Sequence, residues 1–252
     1  MKLDTIIAER PTKKIYRDGD VIIKLFNEEY STSDILNEAL NHSRVEETGL
    51  KVPKFVEVLK IDGKWAIVNE FIEGKTLAQL MEENKDNADA INAYIERFVD
   101  LQLEIQSKSS PLLTKLKDKM RRKISETGLD ATTRYELNTR LEATPKHNKI
   151  CHGDYNPSNI IVTPDDEWYV IDWAHATQGN GGEDAARTYL LFSLEGKTEI
   201  AEKYLNTYCK KSDTAKQYVQ TWLPIVAASQ LVKHKENEKD FLMKWIDVVE
   251  YE

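Results

Sequence analysis

The spacing of apolar residues changes once along the chain, and this change restricts the possible folds more than any other feature of the sequence. Before Gly74, β-branched and aromatic residues form short runs at positions 21–26, 55–61 and 65–71, a pattern typical of strands. After Gly74, apolar residues recur every three or four positions, most clearly over residues 91–105, as on one face of a helix. The sequence therefore predicts an α+β fold with a β-rich part first and a mainly helical part second.

Turn and capping signals place the first elements. Asp62 and Gly63 separate two of the apolar runs and predict a β-hairpin. Ser31 followed by Asp34 predicts the start of a helix that ends at Gly49. The buried stripe of this helix is expected to contain Ile35, Leu36, Ala39 and Leu40.

Gly74 is the predicted boundary between an N-terminal lobe at residues 1–73 and a C-terminal lobe at residues 74–252. Thr76 with Gln79 predicts a capping box directly after it. Ser110 and Pro111 predict a further helix start, and Pro224 predicts a kink in a later helix. Helical patterns continue to the C-terminus. The expected molecule is bilobal: a small β-rich lobe, a hinge, and a larger helical lobe carrying a strand-loop-strand insert.

Composition limits the classes of function. About 40% of the 252 residues are hydrophobic, enough for a packed core, and the formal net charge is −8. An acidic chain without a basic patch is not expected to bind nucleic acid. The N-terminus contains only a short apolar run, and no later run approaches the length of a membrane span, so we expect a cytoplasmic protein without a membrane partner. The two cysteines, Cys151 and Cys209, are expected to be free thiols.

The insert carries a polar motif between two short apolar runs. His152, Gly153 and Asp154 are followed by Asn159 five residues after the Asp, and Asp172 ends the returning strand. Magnesium-assisted phosphoryl transfer needs oxygen ligands for the metal and a carboxylate that accepts the proton of an attacking hydroxyl. Asn159 and Asp172 are the predicted metal ligands and Asp154 is the predicted base. His152 is expected to hold the loop rather than act as a base, because Asp154 already fills that role.

The motif resembles the catalytic core of the aminoglycoside phosphotransferase and choline kinase family, small-molecule kinases with a protein-kinase-like fold. The His-Gly-Asp loop, the Asn five residues after its Asp, and the Ile-Asp-Trp strand end match residue by residue. The resemblance extends over nearly the whole chain. It implies an enzyme that uses ATP and Mg²⁺ and transfers a phosphoryl group to a hydroxyl of a small-molecule acceptor.

The resemblance also implies the nucleotide contacts. Lys24, in Val-Ile-Ile-Lys, corresponds to the family's strand Lys that contacts the α and β phosphates, and Glu38 corresponds to its helical partner. Glu70, Phe71 and Ile72 lie in the segment that resembles the hinge, whose backbone grips the adenine edge. From the residues alone, Lys24 also fits an outward-pointing polar member of a strand, and Glu38 has acidic neighbours that compete for its role.

Asp184, in Glu-Asp-Ala-Ala-Arg-Thr, corresponds to a structural Asp of the family. Four departures from the pattern of protein kinases stand out. The turn at residues 9–14 contains no Gly and offers basic side chains instead of close backbone approach to phosphates. Gly153 stands where protein kinases have Arg, Ala174 follows the metal Asp in place of Gly, and no Ala-Pro-Glu segment is present.

These departures argue against a protein kinase with a phosphorylated activation loop. They leave two classes of function: a kinase whose acceptor is an amino alcohol, a sugar or an aminoglycoside, and a nucleotide-binding regulator without turnover. Retention of Asp154 with the metal ligands favours the enzyme, because a module that only binds nucleotide has no need of a base. A metal-dependent hydrolase lacks the further His and carboxylate ligands it requires.

Overall fold

The computed structural model describes residues 2–246, and it divides into two compact units. The first contains residues 2–85 and 157–175, and the second contains residues 86–156 and 176–246. The strands are β1 (Thr5–Arg10), β2 (Lys13–Asp18), β3 (Val21–Phe26), β4 (Phe55–Ile61), β5 (Lys64–Glu70), β6 (Lys75–Thr76), β7 (Lys149–Cys151), β8 (Ile160–Val162), β9 (Trp168–Val170) and β10 (Thr177–Gly179). The helices are α1 (Thr32–Glu46), α2 (Leu77–Glu83), α3 (Ala88–Ser107), α4 (Leu116–Glu126), α5 (Ala131–Ala143), α6 (Gly181–Leu194), α7 (Thr198–Ser212), α8 (Lys216–Gln220), α9 (Leu223–Leu231) and α10 (Glu236–Ile246).

The first unit is built on a five-stranded antiparallel sheet with the order β1-β2-β3-β5-β4. Alternation along β3 gives the sheet two apolar faces. Ile23 packs with Ala66 and Val68 on one face, whereas Phe26 packs with Ile67 and α1 on the other. The hairpin predicted around Asp62 and Gly63 is confirmed as β4–β5.

Helix α1 lies where the sequence predicted it, but its N-terminal cap and its buried face differ from the prediction. Ser31 precedes the helix without a side-chain hydrogen bond to its backbone, because its hydroxyl pairs with that of Ser33. Ile35 and Ala39 are buried as expected, but Leu36 and Leu40 are 45% and 46% exposed. The buried face instead includes the polar residues Glu38, Asn41 and His42.

A second, three-stranded sheet with the order β6-β8-β9 explains why the first unit recruits residues 157–175. A Cβ on Gly74 would lie 2.3 Å from the carbonyl oxygen of Val162, so only glycine permits this approach of β8. The capping box of Thr76 and Gln79 begins α2 as predicted. The compact units thus do not coincide with the predicted ranges 1–73 and 74–252. The amide of Val170 donates to the carbonyl of Lys51, and β8 pairs with β6, so residues 157–175 are tied to the chain both before and after Gly74.

The second unit is helical apart from the β7–β10 pair. Its aromatic core includes Phe98 stacked on Tyr155, with ring centroids 4.3 Å apart. The predicted helix start at Ser110 and Pro111 is wrong: α4 begins at Leu116, because the side-chain amide of Gln178 donates to the carbonyls of Pro111 and Leu113 and holds this segment non-helical.

Pro224 lies in the first turn of α9 and separates it from α8, so a break replaces the predicted kink. The prediction that helical patterns continue to the C-terminus is confirmed up to Ile246, and its last part, at residues 247–252, lies outside the described residues. Within residues 2–246, none of the helices has both the length and the apolar character that crossing a bilayer requires.

Candidate active site

A cluster of three charged side chains lies in the first unit. Strand β3 directs Lys24 toward α1, where its ammonium forms an ion pair with the Glu38 carboxylate. The same ammonium lies 3.4 Å from Oδ1 of Asp172, which follows β9. Lys24 is only 6% exposed, so it does not point outward. The structure therefore brings together the three residues that the sequence placed on a strand, a helix and a loop.

The charges of this cluster support one another. Burial disfavours the charged form of Lys24, but the carboxylates of Asp172 and Glu38 outweigh burial and raise its pKa. Lys24 is therefore fully charged at neutral pH. Oε2 of Glu38 is buried and makes no hydrogen bond, so Glu38 has capacity for another donor.

The hairpin β8–β9 places the two predicted metal ligands beside each other. The carbonyl of Asn159 accepts from the amide of Ile171, and Ile160 pairs with Val170, so Asn159 and Asp172 lie at the same open end of the hairpin. Asp172 has φ 63°, an uncommon backbone conformation for a residue other than glycine. Backbone conformations of this kind cluster at active sites and ligand-binding positions, and they also occur in turns such as that at Asp62.

The donor set fits a magnesium ion that is carried with a nucleotide. Among residues 2–246 no group of three or more His, Cys, Asp or Glu side chains is arranged to hold a metal. Mg²⁺ typically takes one or two protein ligands and completes its shell with phosphate oxygens and water. One carboxylate and one amide, from Asp172 and Asn159, are what such an ion requires from the protein.

A small cavity of about 80 Å³ adjoins the charged cluster. Its apolar wall includes Ile15, Ile22 and Ile67, and its polar wall includes Lys24 and Asp172. At this volume the cavity could enclose only part of a ligand such as a nucleotide, between its apolar wall and its charged groups.

The hinge segment that follows β5 is partly committed to the fold. The amide of Glu70 donates to the carbonyl of Lys54, and the amide of Phe71 donates to the carbonyl of Asp20. Among the three predicted hinge residues, Ile72 alone keeps an amide without a partner in the part of the chain that the structure describes. Of these three backbone amides, that of Ile72 is thus the one that a ligand could use.

The turn between β1 and β2 has no glycine, as the sequence showed. Pro11 and Thr12 form the turn, and Asn27 holds it through hydrogen bonds to both of their carbonyls. Lys13 follows the turn, and its Nζ lies 3.8 Å from Oδ2 of Asp172. Burial and the neighbouring charge of Lys24 lower the pKa of Lys13, although Asp172 partly offsets them. A second lysine thus joins the cluster.

The predicted base lies in the second unit, on the loop that follows β7. Asp154 is partly exposed, and its amide donates to Nδ1 of the fully buried His152. The side-chain amide of Asn156 donates to the Asp154 carbonyl over 2.8 Å. Gly153 has φ 77°, which lets the chain turn between these residues without steric cost. His152 therefore holds the loop, as expected.

Asp184 on α6 anchors this loop. Its carboxylate is fully buried and accepts the amides of Gly153, over 2.7 Å, and of His152, over 3.2 Å. The hydroxyl of Thr188 on the same helix donates to the carbonyl of Tyr155. Two successive turns of α6, at Asp184 and at Thr188, thus fix the backbone on both sides of Asp154, in agreement with the structural role expected of Asp184.

Sequence reasoning missed a cation beside the predicted base. Nη2 of Arg187 lies 3.9 Å from Oδ1 of Asp154, and the guanidinium is held by Ser229 and Gln230 of α9. Arg187 is nearly buried, so this positive charge is fixed in place. Its position one helical turn after Asp184 is the signal that could have revealed it, since both residues then share a face of α6.

A lysine, its acidic partners and a loop with Asp and Asn at the kinase spacing, on an α+β scaffold, define the class of kinase-like phosphotransferases. The comparison with family models agrees. Residues 12–222 match the model described as "Phosphotransferase enzyme family", and the chain belongs to this family. No curated protein matches the sequence.

Solved structures show the same fold. The apo form of a thermostable mutant of aminoglycoside phosphotransferase APH(4)-Ia matches with a TM-score of 0.71 and 12% identity, over 96% of this chain and 92% of that one. Choline kinase LicA from Streptococcus pneumoniae matches with a TM-score of 0.66 and 18% identity, over 97% and 95% of the two chains. A further variant of the APH(4)-Ia mutant, solved as a ternary complex with ADP and hygromycin B, matches with a TM-score of 0.68 and 12% identity, over 96% and 90%. The protein-kinase-like fold and the α+β class are thus confirmed.

Proposed function

We propose that the protein is an ATP-dependent kinase that transfers the γ-phosphoryl group to a hydroxyl of a small molecule. The observation that carries this proposal is the cluster in which Lys24 contacts both Glu38 and Asp172. A buried lysine between two carboxylates keeps a fixed positive charge, and Asp172 retains exposed surface for a metal. Membership of the phosphotransferase family supports the same reaction.

Each residue has a separate role in the proposal. Lys24, held by Glu38, binds the α and β phosphates, and the backbone at Glu70, Phe71 and Ile72 receives the adenine, with Ile72 offering its amide. Asn159 and Asp172 would hold Mg²⁺, which supplies charge neutralisation on the phosphates.

Asp154 accepts the proton of the acceptor hydroxyl. The hydroxyl oxygen forms a bond to the γ-phosphorus as the bond from that phosphorus to the β-γ bridging oxygen breaks, and ADP leaves. The proposal also includes an N-terminal nucleotide-binding lobe at residues 1–73 and an acceptor-binding lobe at residues 74–252. It further includes a cytoplasmic location.

The solved relatives suggest where to look for the acceptor. One was solved with the aminoglycoside hygromycin B and another is a choline kinase, so aminoglycosides and amino alcohols are the first candidates, followed by sugars. Transfer of label from γ-labelled ATP to a panel of these compounds, with Mg²⁺ present, identifies the acceptor. ATP hydrolysis without an acceptor is the background to subtract.

Asp154→Asn is the decisive variant. The substitution preserves shape and removes the proton acceptor, so the expected kcat falls about 10²- to 10⁴-fold while ATP affinity changes little. Single-turnover transfer and ATP titration measure the two effects. Asp172→Asn is the matched comparison, because it changes the same group at the proposed metal ligand and is expected to weaken Mg-ATP binding.

Near wild-type turnover in Asp154→Asn would refute the assignment of the base. A wild-type protein that binds Mg-ATP yet transfers phosphate to no member of the panel would favour a nucleotide-binding regulator. The turn between β1 and β2 contains no glycine, and this departure is the reason for testing the regulator as a second function.

A further inference from the structure

A separate cavity of about 300 Å³ lies in the second unit. We call it the distal cavity. It is lined by the start of α4, the end of α5 and the segment that follows it, the end of β10 with Asn180, and Trp222 just before α9. Its volume falls at the lower end of the range for small-molecule sites.

The distal cavity lies away from the proposed base within this unit. Strands β7 and β10 pair with Lys149 opposite Gly179 at one end and Cys151 opposite Thr177 at the other. Asp154 follows the Cys151 end, whereas the cavity is lined by residues next to Lys149 and by Gly179. The two sites are therefore at opposite ends of this strand pair.

The lining of the distal cavity has an excess of positive charge. Four cations, Lys115, Lys117, Arg121 and Lys146, line it together with two carboxylates, Asp118 and Glu142. Both carboxylates form ion pairs with Arg121. This local excess contrasts with the net charge of −8 for the whole chain.

The remaining lysines form no ion pair among the described residues, although the charges of Lys117 and Lys146 assist that of Arg121 in lowering the pKa of Glu142. Nζ of Lys117 donates to the carbonyls of Glu142 and Thr144, over 2.9 and 2.7 Å. Lys115 and Lys146 form no ion pair within residues 2–246, and both are exposed. The four cations and two carboxylates give the lining a net charge of +2, and the ammonium groups of Lys115 and Lys146 are not engaged by a carboxylate.

Two further donors point to the same kind of ligand. Trp222 lines the distal cavity and is fully buried, and its indole N–H has no hydrogen-bond partner among the described residues. A buried donor without an acceptor costs free energy unless a ligand satisfies it. Helix α4 also begins at the cavity with Lys115 as its N-cap, and no side chain caps its first amides.

The Trp222 indole lies beside the polar end of α6. A Cβ placed on Gly182 would lie 3.2 Å from Nε1 of Trp222 and 3.1 Å from Oδ1 of Asn180, so both atoms flank the same glycine. Asn180 also lines the distal cavity. The orphaned N–H is itself buried, and it lies close to a residue that lines the distal cavity.

We propose that the distal cavity binds a phosphate group, either as free phosphate or as part of a small phosphorylated metabolite. Lys115, Lys117 and Lys146 supply the charge, and the uncapped start of α4 supplies backbone donors. A phosphate dianion matches this excess of donors better than a neutral ligand. The site is independent of the proposed kinase reaction, since none of its residues belongs to the catalytic assignment.

The test is titration of the full chain, with ¹⁵N-labelled tryptophan and no nucleotide, by inorganic phosphate and by glycerol 3-phosphate. The five tryptophans give separate indole signals, and Trp222→Phe identifies that of Trp222. A saturable shift of the Trp222 signal is expected at constant ionic strength, with no such shift in chloride. The signal of Trp173, which lines the cavity beside Lys24, reports separately on anions at the nucleotide site.

Lys115→Ala combined with Lys146→Ala is expected to weaken phosphate binding at least about tenfold. Lys210→Ala with Lys244→Ala is the matched control, because it removes two exposed lysines from α7 and α10 and should leave binding unchanged. Lys24→Ala should also leave the Trp222 shift intact, which separates this proposal from the kinase assignment.

A Trp222 signal that does not saturate, or that responds equally to chloride, would overturn the proposal. Equal weakening by the two lysine pairs would do the same, since binding would then follow net charge alone. Tighter binding of glycerol 3-phosphate than of phosphate would identify an organic phosphate as the ligand, and the reverse order would identify free phosphate. Melting curves of each variant establish that the fold is retained.

Discussion

Lys24 shows how a single charged residue can be both structural and functional. Its ammonium is buried between the carboxylates of Glu38 and Asp172, and together they raise its pKa against the effect of burial. Removing one member of a buried ion pair leaves the other uncompensated, at a cost of about 3 kcal/mol or more. Any test of Lys24 must therefore separate stability from ligand binding.

We expect Lys24→Ala to weaken ATP binding at least about tenfold more than adenosine binding, because the substitution removes a phosphate contact and leaves the hinge intact. Calorimetric titration with both ligands measures the difference. The double variant Lys24→Met with Glu38→Gln is the control for stability. It removes both buried charges of the ion pair and approximately preserves the side-chain volumes. Equal losses for ATP and adenosine would make Lys24 a purely structural residue.

The sequence could identify those site residues that lie close to one another along the chain. Asp154 and Asn159 are five positions apart on one loop, so their spacing is visible without a structure. Arg187 reaches Asp154 across more than thirty positions, and no local pattern marks that contact. The proximity of Lys13 to Asp172 is likewise tertiary.

At the scale of elements, helix α1 carries polar groups on its buried face for a reason that the fold makes clear. Glu38 pairs with Lys24, and Asn41 donates to the carbonyl of Ala174 just after Asp172. His42 contacts the carbonyl of Pro53 over 2.6 Å, so Nε2 must carry a proton and donate it. The helix is thus tied to the strands, to the residues after Asp172 and to the segment before β4.

His42 should make folding sensitive to acid. Burial lowers its pKa from 6.5, although the Pro53 hydrogen bond opposes this effect. The unfolded chain therefore binds a proton near pH 6.5 that the folded chain resists, so stability is full above pH 6.5 and falls as the pH drops below it. The slope is at most about 1.4 kcal/mol per pH unit for one proton.

Denaturant unfolding at pH 7.5 and at pH 5.5 measures this loss. His42→Gln keeps a donor for the Pro53 carbonyl but cannot titrate, so its stability should change less between the two pH values. The exposed His147→Gln is the matched control and should behave as the wild type. An unchanged pH dependence in His42→Gln would contradict the assignment.

The same helix shows where periodicity fails as a predictor. Apolar spacing correctly located α1, but it placed Leu36 and Leu40 on the buried face that Glu38 and His42 partly occupy. Functional sites break the rule that polar residues face outward, and sequence patterns fail there. The false helix start at Pro111 has a different cause, since hydrogen bonds from distant Gln178 override a local preference.

At the scale of the whole molecule, the proposed machinery is divided between the two compact units. Asp154 belongs to the second unit, whereas Lys24, Asn159 and Asp172 belong to the first. The chain passes between the units just before Pro157 and just after His175. The predicted boundary at Gly74 could not anticipate this division, because pairing of β6 with β8 joins segments far apart in sequence.

Because both proposed metal ligands belong to the first unit, we expect that unit alone to make nucleotide binding depend on the metal. The triphosphate is strongly negative, and it must approach the carboxylate of Asp172, which repels it unless a cation lies between them. Lys24 and Lys13 offset part of that repulsion. Adenosine has no phosphates, so its binding should not depend on the metal.

We therefore expect ATP to raise the melting temperature substantially only with Mg²⁺ or Mn²⁺ present. At about 100 times Kd, binding adds about 2.7 kcal/mol, which corresponds to about 5–10 °C for a chain of this size. Thermal melts with ATP in Mg²⁺ and in EDTA measure the difference, and adenosine provides the control.

Asp172→Asn should reduce the metal-dependent part of the shift more than Asn159→Ala, because it removes the charged ligand, whereas Asp154→Asn should leave that part unchanged. Equal stabilisation by ATP with and without metal would show that Asn159 and Asp172 do not hold the ion, while leaving the fold and the contact of Lys24 with the phosphates unaffected.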